Sequence, residues 1–164
     1  MNVIRSINRS VLFLLAAIAI AAAPTLRAET PAEQVKDAGA IKLTTDLLNK
    51  MDAFIQALGA DAAAKAELTE IGKDPNVSQN QDAWAAAITS KCPKTSEHLK
   101  TAGITAPDFT KGISAIMACA MSDDMAKSDN ETAKANAEFV TANKDRAEKT
   151  FGSFMQLSMP ADAK

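Results

Sequence analysis

From Leu43 onward, apolar residues recur three and four positions apart. Leu43, Leu47, Leu48, Met51, Phe54, Ile55 and Leu58 share one side of a helix that advances about 100° per residue. No segment alternates apolar and polar residues over the length of a strand, tyrosine is absent, and alanine is abundant. The chain is therefore expected to be all-α, an irregular bundle of five to six helices around an alanine-rich core.

Local signals divide this bundle. Thr44 or Thr45 can cap the first free amides, and Asp46 favours the positive end of the helix dipole. Gly59 marks an expected kink, and Gly72 with Lys73-Asp74-Pro75-Asn76 ends the run, because proline cannot continue a helix. A second helix is expected over 79–91, with Ser78 and Gln81 in capping-box spacing and Trp84, Ala87 and Ile88 facing inward. Pro93 suits the first turn of a short third helix closed by Gly103 in a left-handed conformation. Thr105 then reads as an N-cap with Asp108 three residues on, and Ile104 and Phe109 take the positions of a hydrophobic staple. That helix is expected to run to Lys127. After a loop at 128–134, one or two closing helices turn Phe139, Val140, Ala147, Phe151, Phe154 and Leu157 inward.

The first 28 residues have a different character. Arg5 and Arg9 precede an apolar run of 13 residues, Val11 to Ala23, and Pro24 and Leu26-Arg27-Ala28 follow. This is the pattern of a secretory signal peptide cut after Ala28. The run is shorter than the roughly 20 residues of a spanning helix, so no membrane span is expected after cleavage. Export to a periplasm or beyond follows. Residues 29–43 read as a flexible leader, 44–158 as the helical domain and 159–164 as a tail. Cleavage removes three of the 18 basic residues and none of the 20 acidic ones, leaving a net charge of −5. That balance argues against nucleic acid and anionic lipid as partners.

Cys92 and Cys119 are the only cysteines. An even count in an exported chain favours a disulfide between them, and closing a loop of this length stabilises by roughly 3.5 kcal/mol on the chain-entropy model. Two free buried thiols are the alternative. A redox-active pair is disfavoured because the two are far from C-x-x-C spacing, although Pro93 places Cys92 near a helix start that would lower a reduced thiol's pKa.

No catalytic set is legible. His98 is the single histidine and falls in the polar stretch Ser96-Glu97-His98-Leu99-Lys100, where a solvated side chain is expected rather than a triad member. Zinc motifs and C-x-x-C-H are absent; a b-type haem between His98 and a methionine is the remaining haem arrangement. Asp123 and Asp124 are adjacent and point apart on a helix, and 128–134 lacks the glycine of a calcium loop. Lys144, Arg146 and Lys149 alternate with Asp145 and Glu148 and read as a solvated face. No cofactor is expected.

Met117, Met121 and Met125 stand four apart, with Cys119 among them. Thioethers are soft ligands suited to Cu(I), which makes copper binding an alternative function. On a helical wheel, however, Met117 and Met121 continue the apolar face that begins at Phe109. Met125 drifts to its shoulder, and Cys119 falls on another face, towards Cys92.

The stretch Ala102 to Phe109 (AGITAPDF), the Ala/Met-rich helix after it, and Asn136 to Val140 (NAEFV) together resemble a family of small exported α-helical bacterial proteins of unknown function. In that family G-[IL]-T precedes an acidic and then an aromatic residue, and N-x-x-F-[VL] follows. The likeness spans Leu43 to Leu157. It implies an exported helical domain with Gly103 and Thr105 as caps and Phe109, Phe139 and Val140 as core. It implies no catalytic or binding residue, and the cysteine pair is not part of its pattern. A non-enzymatic binding or envelope-support module, with another envelope protein as its partner, is the expected function. An enzyme with an unrecognised site is a further alternative.

Overall fold

The computed structural model describes residues 31–78, 80–122 and 125–158; the expected signal segment with its expected cleavage after Ala28, the Asp123–Asp124 pair and the 159–164 tail lie outside them. All regular structure among the described residues is helical. In chain order it comprises α1 (Pro31–Ala38), α2 (Thr45–Ala60), α3 (Ala62–Gly72), α4 (Pro75–Ser78), α5 (Gln81–Lys91), α6 (Pro93–Thr101), α7 (Ala106–Met121), a 3-10 turn (Met125–Lys127), α8 (Glu131–Ala142) and α9 (Lys144–Ser158). The all-α reading holds, but among the described residues nine α-helices replace the five to six expected.

The extra helices have identifiable causes. The long first helix breaks at Asp61 rather than at Gly59. Asp61 is extended (φ −111°, ψ 102°) and its Oδ1 accepts the amides of Ala63 at 2.8 Å and Ala64 at 3.1 Å. A short carboxylate that competes for backbone amides ends one helix by starting the next. Asn80 caps α5 in the same way, taking the amides of Asp82 and Ala83, so the Ser78–Gln81 capping box gives way to a cap two residues later.

Residues 31–43 are not a loose leader. They form α1 and a turn that docks on the body of the protein, with Ala38 and Leu43 buried. The responsible side chain is Asn136 of α8, fully buried. Its Oδ1 accepts the Leu43 amide at 2.8 Å, and its Nδ2 donates to the carbonyls of Ala38 at 2.7 Å and Ile41 at 2.6 Å.

The start of α7 follows the sequence signals closely. Gly103 has φ 70°. The Ile104 amide bonds the Leu99 carbonyl and the Gly103 amide bonds that of Lys100, which together make a Schellman closure of α6. Thr105 Oγ1 accepts the Asp108 amide at 3.2 Å. The end of α7 departs from expectation. It stops at Met121, with Ser122 extended, and Met125 lies in the separate 3-10 turn.

α7 packs against α5, α1, α8 and α9. Its buried face carries Ala106, Phe109, Gly112, Ile113, Ala115, Ile116 and Ala118. The main core gathers around Phe54, Phe109 and Phe154. Their rings meet edge to face with centroids 4.6 Å and 5.0 Å apart, and Trp84 extends the series from Phe154 at 5.7 Å. A smaller cluster, made of Ala38, Ala118, Met125, Ala133 and Ala137, lies where α1 meets α7 and α8.

The cysteines are not near each other, and both are free thiols. The expected disulfide is therefore absent. Cys92 is fully buried in the main core at the start of α6, whereas Cys119 on α7 packs between the main core and the smaller cluster. Each fills space as a small apolar side chain.

Candidate functional site

The residues with most chemical potential converge where α3 meets α6. Asp61 opens α3, and its second carboxylate oxygen lies 3.1 Å from His98 Nε2 on α6. Since an ionised carboxylate only accepts, Nε2 carries the proton and donates it. His98 is thus half-buried and bonded, rather than solvated as expected. The His98 hydrogen bond first, with help from the α3 amides, holds the Asp61 carboxyl at about 2, below its ordinary 3.8.

Six residues further along α3, Glu67 performs a capping task at long range. Its carboxylate accepts the amides of Lys94 at 3.2 Å and Thr95 at 3.0 Å. Thr95, fully buried, also places Oγ1 3.0 Å from Glu67 Oε2 and 3.2 Å from the Ala64 carbonyl. α6 needs this help because Cys92, at its N-cap, makes no side-chain cap bond. Proximity to that helix start does not lower the Cys92 pKa. Burial, with the Glu67 carboxylate adding to it, pushes the thiol up to about 11. Burial takes Cys119 to about 11 as well, so neither is an activated thiol.

The arrangement resembles a His–carboxylate dyad, but the neighbouring hydroxyls are engaged elsewhere. Ser96 donates to the Ile88 carbonyl, Thr101 to that of Glu97, and Thr95 is held as described. Beside the junction an open cleft of about 450 Å³ is lined by Glu67, Glu70, Ile71, Asp74, Val77 and Lys91. Its acids also have partners: Glu70 pairs with Lys73 at 2.6 Å, and Asp74 accepts the Asn76 amide. What the junction does chemically is fasten two helices through charge-assisted hydrogen bonds.

The methionines are spread over three environments. Met117 is half-buried, Met121 is 66% exposed at the end of α7, and Met125 is buried in the smaller cluster beyond the helix break. Four-residue spacing brings Met117 and Met121 one turn apart on α7 but leaves Met125 off that helix. Among the described residues no group of three or more His, Cys, Asp or Glu side chains could hold a metal ion, and no helix is long and apolar enough to cross a membrane.

A second polar knot joins α9 to α2. Arg146 donates from Nε at 2.9 Å and Nη2 at 2.7 Å to Asp52 Oδ2, and from Nη2 to Asn49 at 2.6 Å; Thr150 donates to Asp52 Oδ1 at 2.5 Å. Arg146 is thus a helix contact, whereas Lys144, Asp145 and Lys149 are exposed, as the alternating charges suggest. Sequence reasoning missed Glu67, Asn136 and this knot. Only Asn136 leaves a local trace, as a polar residue on the apolar stripe Ala133, Asn136, Ala137, Val140.

The Asp61–His98 bond has a testable pH signature. A carboxyl held low in the fold binds a proton more readily in the unfolded chain. Its contribution is whole above about pH 4 and disappears as pH falls through about 2. Asp61→Asn keeps a capping oxygen but loses the charge. Urea midpoints of wild type and variant are therefore expected to differ at neutral pH and to converge between about pH 4 and pH 2. Curves that stay parallel across that window would refute this role for Asp61.

Comparison of the chain with protein-family models, with curated proteins and with solved structures finds no match.

Proposed function

We propose that this protein is an exported, non-enzymatic helical module that binds another envelope protein or supports the envelope. One observation carries the non-enzymatic part: the polar side chains best placed for chemistry are committed to joining helices. Asp61 and His98 tie α3 to α6, Glu67 caps α6, Asn136 holds the segment before α2, and Arg146 with Asp52 ties α9 to α2. Among the described residues no buried side-chain nitrogen or oxygen lacks a partner. A nucleophile must lie within hydrogen-bond reach of its base, and the hydroxyls near His98 donate to backbone carbonyls instead.

The export part is supported by the charged, apolar and small-residue succession over residues 5–28. The likeness to small exported helical proteins agrees with it. The test is expression of the full chain in a bacterial host, osmotic shock and intact-mass measurement. The expected product is a periplasmic chain beginning at Glu29; a full-length chain retained in the cytoplasm would overturn the export reading. Photo-crosslinking in intact cells from the exposed position 121 and other surface sites is expected to trap one defined envelope protein. If no site gives a crosslink, the binding reading fails.

A further inference from the structure

We propose that α1 and the turn after it, residues 31–41, form a strap keyed by Asn136 that opens and closes as a unit while the main core stays folded. Three observations converge on this segment. Its helix packs on α7 and α8, over the cluster of Ala38, Ala118, Met125, Ala133 and Ala137, which is separate from the main core. That cluster is built largely of alanine, so covering it removes little apolar area from water and holds the strap weakly. A buried polar attachment comes from Asn136. All three Asn136 hydrogen bonds go to backbone groups of residues 38–43: two carbonyls of the strap and the Leu43 amide at its hinge.

The energetics of a buried asparagine make this contact switch-like. Closed, the carbonyls of Ala38 and Ile41 and the Leu43 amide are satisfied although removed from solvent. With Asn136 gone they are orphaned, and a buried backbone group without a partner is strongly disfavoured. Opening lets water satisfy them, at the expense of the alanine cluster's contacts and those of Val35 and Ile41 at its edges. Leu43 itself belongs to the main core, as do the buried residues of α2 that follow, so the natural hinge lies at Leu43–Thr44. Segments with few apolar contacts and a localised anchor open at lower free energy than the molecule as a whole. Opening would bare Ala118 of α7, Met125 of the 3-10 turn, and Ala133 and Ala137 of α8. The strap's own residues are the occupant that closes it.

Hydrogen–deuterium exchange on the full chain tests this. Protection of residues 35–43 rests on the bonds from Gly39 to Val35, from Ala40 to Asp37 and from Leu43 to Asn136. In Asn136→Ala, exchange over 35–43 is expected to accelerate at least tenfold, while peptides from α2 (48–58) and α7 (109–116) exchange as in the wild type. Gly39→Val approaches the same strap from outside. A Cβ at position 39 would fall 2.6 Å from the side chain of Asn130, the N-cap of α8, so the variant crowds the strap against that side chain and displaces one or the other, without touching Asn136 or the main core. It is expected to give the same selective acceleration, and it carries the test alone if Asn136→Ala does not fold. Equal acceleration of strap and core peptides, or no acceleration over 35–43, overturns the proposal.

Discussion

Replacing Phe109 by alanine is expected to cost about 3–5 kcal/mol of folding stability, the range for removing a buried phenylalanine ring. Phe109 is fully buried at the centre of the aromatic series, with Phe54 on one side at 4.6 Å and Phe154 on the other at 5.0 Å. Both contacts are edge to face, an arrangement that contributes about 0.5–1.5 kcal/mol per pair beyond area burial. The cavity left behind opens between three helices, α2, α7 and α9, each fixed by other contacts, so collapse around it is limited. A domain of this size has about 5–15 kcal/mol in all, which puts Phe109→Ala close to the threshold of folding. Trp84 is the single tryptophan and meets Phe154 edge to face at 5.7 Å, so its fluorescence reports on the array during urea unfolding. Phe109→Leu keeps most of the volume and is expected to lose less than half as much. Equal losses in the two variants would show that the ring contacts, rather than the filled volume, carry what Phe109 contributes.

The same residue shows what the sequence makes legible. Ala102 to Phe109 is read correctly because its information is local. A glycine at φ 70° closes α6, a threonine caps α7, and both act within four residues of themselves. The all-α class is legible for a related reason, since helical periodicity is a property of neighbouring turns. What escapes is set by distant partners. Nothing near Glu67 announces that it caps a helix 27 residues further on, and nothing near Arg146 points to Asp52. The leader at 29–43 looks featureless because the side chain that holds it, Asn136, lies more than 90 residues away.

The inner face of α7 follows the apolar stripe at Phe109, Ile113 and Ile116 but departs from it at the methionines, for a physical reason. A wheel weighted by side-chain hydrophobicity draws the stripe towards Met117 and Met121, yet α7 buries Gly112, Ala115 and Ala118 and leaves Met121 exposed. A central helix with four packed neighbours is better served by small side chains, which let helix axes approach. Its larger apolar residues can be displaced towards the rim. The cysteines follow the same logic. Pairing was inferred from their number and the redox compartment, but position is decided by packing, and each occupies a site suited to a small apolar side chain. The sulfur-rich stretch at 117–125 therefore separates into a half-buried methionine, an exposed one, a buried one beyond the helix end, and a thiol wedged between two clusters.

Glu67→Ala is expected to cost about 2–3 kcal/mol, the second largest effect, although Glu67 is only half-buried. Its carboxylate is the side-chain cap of α6, accepting two amides and standing within reach of the Thr95 hydroxyl. Hydrogen bonds to a charged group contribute about 1.5–3 kcal/mol, and a buried donor stripped of its partner costs about 1–3 kcal/mol. Thr95 is fully buried, so water cannot readily replace the carboxylate, and Cys92 offers no capping bond in its place. A negative charge at a helix N-terminus adds a favourable dipole interaction that the alanine also removes. Glu67→Gln keeps one carbonyl oxygen in the same place but no charge. It is expected to lose about 1 kcal/mol, because a neutral acceptor bonds roughly half as strongly. Urea unfolding gives both losses, and exchange of the Lys94 and Thr95 amides locates them. If glutamine is as damaging as alanine, the pairing of charge with the helix terminus dominates. If both variants retain wild-type stability, α6 is held by its apolar contacts alone and Glu67 is not its cap.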